Sequence, residues 1–251
     1  MNNPIDQIMK IVLLIAALFL SLVNPVNAQQ KHTVEPFDKV IISPNIQVTF
    51  KQASKEQLIE VIGNKAGAET FNIESKNGTL HLYLEGARFL PTEKTNESGW
   101  KEPIYKGTVV IVTVYYQNLN EVSIRGEEAV LFEDKLQLDE FALHLYGSCK
   151  VNMKQLIAGN LAVASYGESQ LHIEAGNVDK AKYTCYGEST INALPLVCTD
   201  AKVTLFGESN IEINVESQLK LTSFGESKVT YKGNPETKFK LLGETQFEHV
   251  Q

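Results

Sequence analysis

The chain has 251 residues, of which 21% are charged, and its formal net charge is −7 at pH 7. This acidic balance argues against nucleic acid and anionic membrane surfaces as partners, because both attract basic proteins. The length suits one large domain or two small ones. The three cysteines include no CxxC pair, so a structural zinc site is not expected.

Residues 1–28 are predicted to be a signal peptide. Lys10 precedes an apolar run over residues 11–23, and Val26-Asn27-Ala28 supplies a small-residue cleavage site. The run is short for a transmembrane helix, so we expect no membrane span in the mature chain. We therefore expect an exported protein that resides in the periplasm, at the cell surface or outside the cell. The true start stays open between Met1 and Met9, since Met9 would also begin an ordinary signal peptide.

Residues 29–120 are predicted to form a β-rich section without a repeat. Short apolar or alternating runs predict strands over residues 39–42, 46–51, 58–62, 71–74, 80–84 and 109–116. Asn77-Gly78 predicts a hairpin turn before the fifth of these strands. Residues 86–107 are polar and rich in turn residues, which predicts a long exposed loop.

Residues 121–251 carry a tetrapeptide that keeps returning. The four complete copies are Tyr166-Gly167-Glu168-Ser169, Tyr186-Gly187-Glu188-Ser189, Phe206-Gly207-Glu208-Ser209 and Phe224-Gly225-Glu226-Ser227. With the degenerate copies included, the glycines lie at positions 126, 147, 167, 187, 207, 225 and 243, so their spacings are 21, 20, 20, 20, 18 and 18. A period of this length predicts a solenoid in which each repeat is one coil.

Apolar and small residues occupy even offsets from each repeat glycine. Four residues before the glycine stand Leu143, Val163, Tyr183, Val203, Leu221 and Phe239, and four after it stand Val151, Leu171, Ile191, Ile211, Val229 and Phe247. The odd offsets between them are mostly polar. Alternation with period 2 predicts strands with one buried face, and we expect two strands per coil, joined at the Gly-Glu-Ser corner. A second turn is predicted near Gly159-Asn160, Gly176-Asn177, Pro195 and Gly233-Asn234-Pro235.

The corner residues have physical reasons to recur. The glycine suits a positive φ or a close backbone approach, and the serine can bond corner backbone groups of a neighbouring coil. Cys149 and Cys185 occupy positions that other coils fill with Ser or Leu, so we expect them to be free thiols in the core rather than a disulfide.

Together these features resemble a known family. The export signal, the opening Phe37-Asp38-Lys39-Val40-Ile41-Ile42, the segment Asn77-Gly78-Thr79-Leu80-His81-Leu82 and the Gly-Glu-Ser repeats are similar to the auto-transporter adhesin head GIN domain family of exported Bacteroidetes proteins. The resemblance covers roughly residues 35–245. It implies a right-handed parallel β-helix-like solenoid and an adhesin-like role, and it brings no catalytic residues.

We use "ladder" for the side chains that occupy one repeat position on successive coils, which stack about 4.8 Å apart. The acidic ladder comprises Glu168, Glu188, Glu208, Glu226 and Glu244. Two interpretations remain open: carboxylates that splay into solvent or pair with lysines and corner amides, or a binding site for Ca²⁺. The Gly-Gly-x-Gly-x-Asp pattern of calcium-binding β-rolls is absent from this sequence.

The aromatic ladder comprises Tyr146, Tyr166, Tyr186, Phe206 and Phe224, one residue before each glycine. It is interpreted either as a structural stack or as an exposed stripe that binds a glycan, a peptide or a second subunit. The lysine ladder comprises Lys182, Lys202, Lys220 and Lys238. Such a row serves solubility or meets an acidic surface.

The sequence favours a binding protein over an enzyme. Parallel β-helices also host polysaccharide lyases and hydrolases, which need clustered carboxylates or an Asp, Lys and Arg group. Here the acids repeat regularly, arginine occurs only at Arg88 and Arg125, and no catalytic motif is present. We therefore predict an exported, non-catalytic, adhesin-like protein for a glycan or protein ligand, with a glycan-active β-helix enzyme as the alternative.

The C-terminal coil predicts a contact with another molecule. Phe239, Leu241 and Phe247 would be apolar side chains of the last predicted coil. An uncovered solenoid end exposes such side chains together with unpaired strand groups. We therefore expect this end to meet a partner, most simply a second copy of the chain.

Overall fold

The computed structural model describes residues 30–250, so the predicted signal peptide and its cleavage site lie outside the described residues. The described chain is all-β and winds into a solenoid of about 6 turns. From Lys31 onward the chain forms one compact unit. Within residues 30–250 there is no helix long and apolar enough to cross a membrane. The right-handed sense implied by the family resemblance stays a prediction.

The N-terminal part supplies ten strands. They are β1 (Gln30–Thr33), β2 (Phe37–Ile42), β3 (Ile46–Gln52), β4 (Leu58–Asn64), β5 (Phe71–Lys76), β6 (Gly78–Leu84), β7 (Glu93–Thr95), β8 (Lys101–Pro103), β9 (Val110–Tyr116) and β10 (Glu121–Arg125). The six predicted strands are confirmed within a few residues. Asn77 and Gly78 both have positive φ and join β5 to β6 as the predicted hairpin. The predicted loop instead contains a small hairpin, in which β7 pairs antiparallel with β8.

The repeat region supplies nine strands. They are β11 (Ala129–Tyr146), β12 (Lys150–Tyr166), β13 (Gln170–Ile173), β14 (Gly176–Tyr186), β15 (Ser189–Phe206), β16 (Ser209–Phe224), β17 (Ser227–Lys232), β18 (Glu236–Leu242) and β19 (Thr245–Val250). All pair in parallel, each with the strand one coil further along. The solenoid prediction is confirmed.

Each coil has three corners, where we predicted two. In β12 the alternation of buried and exposed residues breaks at residues 154–155 and again at residues 159–160, where two successive residues face outward. The predicted second turn is therefore two shallow bends around a short inward-facing segment, residues 156–158. The backbone remains in strand pairing through both bends, so the strands are longer than predicted.

The N-terminal strands continue the solenoid although they lack the repeat. β2 pairs in parallel with β10, and β3 pairs in parallel with β11. On their other edges, β2 and β3 pair in parallel with β6 and β9. β4 and β5 then pair antiparallel with β9 and β6, which turns the stack back on itself at this end.

The core is a set of apolar ladders inside the coils. The positions four residues before the glycines are almost fully buried from Leu143 to Leu221. Cys149, Cys185 and Cys198 are free and buried, which confirms the prediction of core thiols. In β18 every residue is exposed, including Phe239 at 42%.

Candidate binding surface

The repeat glycines stack at one corner, as predicted. Gly167, Gly187 and Gly207 have φ of 121°, 106° and 113°, a region that favours glycine. A Cβ on Gly187 would lie 3.0 Å from the carbonyl oxygen of Gly167. The amide of Gly187 donates to the carbonyl of Phe206 over 2.9 Å. The corner therefore needs glycine for its conformation and for the close approach of neighbouring coils.

The serine of the tetrapeptide points inward and secures the previous coil. Ser169 Oγ donates to the carbonyl oxygen of Gly147 at 2.9 Å, and Ser227 Oγ does the same to Gly207 at 3.2 Å. These hydroxyls are buried, so the hydrogen bonds satisfy polar groups that would otherwise lack a partner. In all four complete copies of the tetrapeptide the Ser is buried and the Glu is exposed.

The acidic ladder is exposed beside this corner. Glu168, Glu188, Glu208 and Glu226 border one shallow depression of about 490 Å³. Glu244 stands at the equivalent corner of the last coil. Among residues 30–250, no three Asp, Glu, His or Cys side chains are placed to share a metal ion. The carboxylates therefore stand in a row without converging on one point.

The aromatic ladder is a continuous face-to-face stack. The ring centroids of Tyr146, Tyr166, Tyr186, Phe206 and Phe224 follow one another at 5.2, 5.0, 4.9 and 5.0 Å, with interplanar angles of 2–5°. Tyr166, Tyr186 and Phe206 remain 36–43% exposed. Because each ring covers the face of the next, the stack presents ring edges to solvent. A sugar that stacks on an aromatic face finds no free face on the interior rings.

Arginine and further aromatic side chains extend this stack toward the N-terminal strands. The guanidinium carbon of Arg125 lies 4.9 Å from the ring centroid of Tyr146 and 5.4 Å from that of Phe89. Arg88 lies 4.5 Å from the ring centroid of Tyr83 and pairs with Glu74 at 2.8 Å. Both arginines of the chain thus cover aromatic faces. The ladder is closed at this end by cation–π contacts.

A groove of about 1310 Å³ runs along the third corner. Three of the four lysine-ladder residues border it, namely Lys182, Lys202 and Lys220. In the two preceding coils the same position is occupied by Ala142 and Ala162, which leaves room above the backbone. The groove crosses the coils, so an extended molecule could lie along the solenoid axis.

A second row of polar side chains borders the groove. It was not identified from the sequence, because its members differ from coil to coil. In register along the stack, the row comprises Glu140, Asn160, Lys180, Asp200 and Gln218. The only signal in the sequence was their constant offset of seven from the repeat glycine. Asp38, Asn118 and Asn120 continue the lining at the N-terminal end.

One Ser–His contact resembles a nucleophile and its base but is structural. Ser43 Oγ lies 3.0 Å from His81 Nε2 and donates to the carbonyl oxygen of Arg88. Ser43 is fully buried, so no substrate reaches its hydroxyl. Burial lowers the pKa of His81, which keeps the ring neutral.

The three cysteine thiols are unreactive because they are buried. Burial raises the pKa of Cys185 to about 11 and that of Cys198 to about 12, and it also raises the pKa of Cys149. Thiolate formation at neutral pH is therefore suppressed. The buried Tyr183 hydroxyl lies near Cys198 without a hydrogen bond of ordinary geometry, and burial raises its pKa well above the usual value.

Solved structures share this fold. A putative adhesin from Bacteroides fragilis superposes with a TM-score of 0.76 at 18% identity, over 88% of this chain and 96% of that one. A putative adhesin from Parabacteroides merdae gives 0.61 at 20% identity, over 90% and 98%. A protein from Parabacteroides distasonis described as a putative lipid binding protein gives 0.64 at 17% identity, over 90% and 98%. At these identities the likeness shows the fold alone.

Sequence comparison identifies the family. No curated protein matches the chain. The family model described as "Putative auto-transporter adhesin, head GIN domain" matches residues 36–235. This range includes strands β2 to β10, the hairpin loop and most of the Gly-Glu-Ser coils. The resemblance seen in the sequence is confirmed: the chain belongs to the auto-transporter adhesin head GIN domain family.

Proposed function

We infer that the protein is an exported, non-catalytic, adhesin-like binding protein, and that it holds an extended glycan or protein chain along the groove. The observation that carries this proposal is the groove itself. It spans successive coils and is bordered by amides, carboxylates and lysines, which offer both donors and acceptors to a polar ligand. The family name and the shared fold of the adhesin structures support a binding role.

The arrangement of polar groups favours binding over catalysis. The lining of the groove includes no histidine, cysteine or arginine. Lys39 and Glu121 in the groove neutralise each other in an ion pair of 3.3 Å. Ser43, the hydroxyl that contacts a histidine, is buried away from the groove. We therefore expect no release of new reducing ends or unsaturated sugars when the mature chain is incubated with a polysaccharide that it binds.

A glycan array probed with residues 29–251 tests the proposal. We expect retention of one class of extended glycans and its loss in Ala162→Trp, because a large ring at this exposed position would fill the groove. Gln170→Trp is the matched control, since Gln170 is also exposed but lies outside the groove. Equal binding by Ala162→Trp and the unchanged chain would contradict the proposal.

A further inference from the structure

We propose that the C-terminal half of the groove binds the carboxylates of a linear acidic polysaccharide, a sugar chain that carries one carboxylate per residue. This proposal rests on the proposed function and specifies the chemical class of the ligand. It follows from the distribution of charge along the groove, which differs between the two halves.

The C-terminal half presents three lysines without partners. Lys182, Lys202 and Lys220 lie in register on three consecutive coils, about 4.8 Å apart along the stack. All three are exposed, and within the described chain none has a carboxylate within 4.0 Å. Like charges at this distance repel one another, and carboxylates placed between them would reverse the sign of the interaction.

Threonine hydroxyls accompany these lysines. Thr184, Thr204 and Thr222 lie two residues further along the same strands, beside the groove lining and not in it, and they are also in register and half-buried. A hydroxyl both donates and accepts, so it suits the hydroxyls and ring oxygens of a sugar as well as a carboxylate. Lysine and threonine thus repeat together once per coil.

The N-terminal half suits uncharged sugar hydroxyls and disfavours a densely charged polymer. Its border contains Asp38, Asn120, Glu140 and Asn160. Carboxylates and amides accept hydrogen bonds from hydroxyls, but carboxylates repel phosphates. A nucleic acid or polyphosphate that followed the groove would meet this acidic half. This half repels the carboxylates of a uronate chain as well, but it accepts hydrogen bonds from the chain's hydroxyls, which a polyphosphate lacks. The lysine half therefore supplies the charge attraction, and the acidic half contacts the hydroxyls.

The geometry of the groove fits a linear polymer. Ala142 and Ala162 occupy the lysine positions in the earlier coils, so the cavity continues beyond the lysines without obstruction. The repeat of about 4.8 Å between coils is close to the length of one sugar unit in an extended chain. Successive sugars can therefore meet equivalent side chains on successive coils.

Binding of an oligogalacturonate long enough to cover the groove, measured by calorimetry on residues 29–251, tests this proposal. The triple variant Lys182→Gln, Lys202→Gln, Lys220→Gln should bind at least about tenfold more weakly, since three exposed charge contacts are lost. The affinity of the unchanged chain should fall with salt, with a log–log slope of about −2 for three contacts at about 0.7 each.

The control variant removes the same charge elsewhere. Lys76, Lys154 and Lys232 are exposed, lie outside the groove and have no ion pair within residues 30–250. Their replacement by Gln should leave the affinity within about twofold, because distant exposed charges are largely screened. Circular dichroism and the melting temperature of both triple variants establish that each is folded.

Three outcomes would overturn the proposal. One is equal binding of oligogalacturonate by the groove variant and the unchanged chain. A second is equal binding of the methyl-esterified oligomer, which has the same backbone without charge; this result would leave the proposed function standing. A third is competition by inorganic polyphosphate at equal or lower concentration, which would show that the lysines attract charge without recognising a sugar. If no glycan, acidic or neutral, binds in the array, the glycan part of the proposed function fails as well, and only a protein chain remains as its ligand.

Discussion

At the scale of single residues, the strongest constraint lies on the backbone of the repeat glycines. From Gly147 to Gly243, each repeat glycine combines a positive φ with a neighbouring glycine carbonyl at the place where a Cβ would stand. Two independent penalties therefore oppose any other residue. A side chain strains its own backbone, and it also separates two coils that would otherwise hydrogen bond.

Gly187→Ala should lower the free energy of unfolding by about 1–3 kcal/mol, because alanine is strained at φ 106° and its Cβ would meet Gly167 O at 3.0 Å. Gly63→Ala is the matched control, since nothing lies within 4 Å of a Cβ there and its φ is outside the positive region. Urea denaturation of both variants measures the difference. Equal midpoints would show that the corner tolerates a side chain.

The buried thiols predict a loss of stability at alkaline pH. A cysteine in the unfolded chain ionises near 9.0, whereas burial raises the pKa of Cys185 to about 11 and of Cys198 to about 12. Above pH 9 the unfolded state loses protons that the folded state retains, so stability present below pH 9 decreases as the pH rises. Ionisation of each of these thiols should lower the free energy of unfolding by about 1 kcal/mol between pH 8 and 10.

The double variant Cys185→Ser, Cys198→Ala should reduce this pH dependence. Serine already occupies the position of Cys185 in two other coils, as Ser165 and Ser223. Urea midpoints at pH 8 and pH 10 should differ less for the variant than for the unchanged chain. The same decrease in both proteins would assign the alkaline loss to other groups.

At the scale of elements, the aromatic ladder binds one coil to the next outside the core. Each interior ring contacts two others, so its removal breaks two contacts. The stack complements the hydrogen bonds of the adjoining corner. The same ladder stays partly exposed because it stands on the outward side of the strands.

Tyr186→Ala should destabilise the solenoid by about 1–3 kcal/mol, at about 0.5–1.5 kcal/mol for each aromatic contact. Tyr186→Phe should change stability little, because Phe206 and Phe224 occupy the same position in later coils. Thr190→Ala, an exposed change nearby, is the control. Thermal unfolding measures all three variants. A loss with Phe as large as with Ala would mean that the Tyr186 hydroxyl, and not the stack, contributes the stability.

The sequence predicted those elements whose cause is local and periodic. The glycine corner and the buried even offsets follow from residues that recur, such as Gly187 and Ile191. The bend at residues 154–155 did not, because it needs only two successive outward side chains, which look like ordinary polar positions. The pairing of β2 with β10 joins segments that are more than 75 residues apart and share no motif. No local sequence pattern therefore predicts it. The groove arises from the three-dimensional path of the bends, which no residue pattern specifies.

At the scale of the whole molecule, the two ends of the described stack differ. At the N-terminal end β4 and β5 reverse direction, and the core there is buried. At the other end β18 exposes Phe239, Leu241 and Leu242 at 42%, 38% and 56%. In the previous coil the positions of Phe239 and Leu241 are almost fully buried. The last described coil thus presents core positions to solvent.

We expect this coil to mediate self-association of residues 29–251, because burying its apolar side chains and unpaired strand groups against a second copy removes them from water. Static light scattering over a concentration series should show a rising mass. Leu241→Lys with Phe247→Lys should abolish the rise. Trp100→Lys is the control: this side chain is 75% exposed in the β7–β8 hairpin, and its replacement should leave the rise in mass unchanged. A monomer at high micromolar concentration would contradict this expectation.

The bends between the straight segments also determine where the chain can change length. The first complete coil has one extra residue, which a bulge between Phe132 and Lys135 absorbs. The first of the two coils of 18 residues omits two, and the register shifts against the coil before it fall between Ala193 and Asp200. In both cases the glycine corner and the buried positions stay in register with those of the neighbouring coil. Insertions and deletions can therefore occur at the second and third corners without displacing the core. There they change the shape of the groove's rim, while the Gly-Glu-Ser corner keeps its structure.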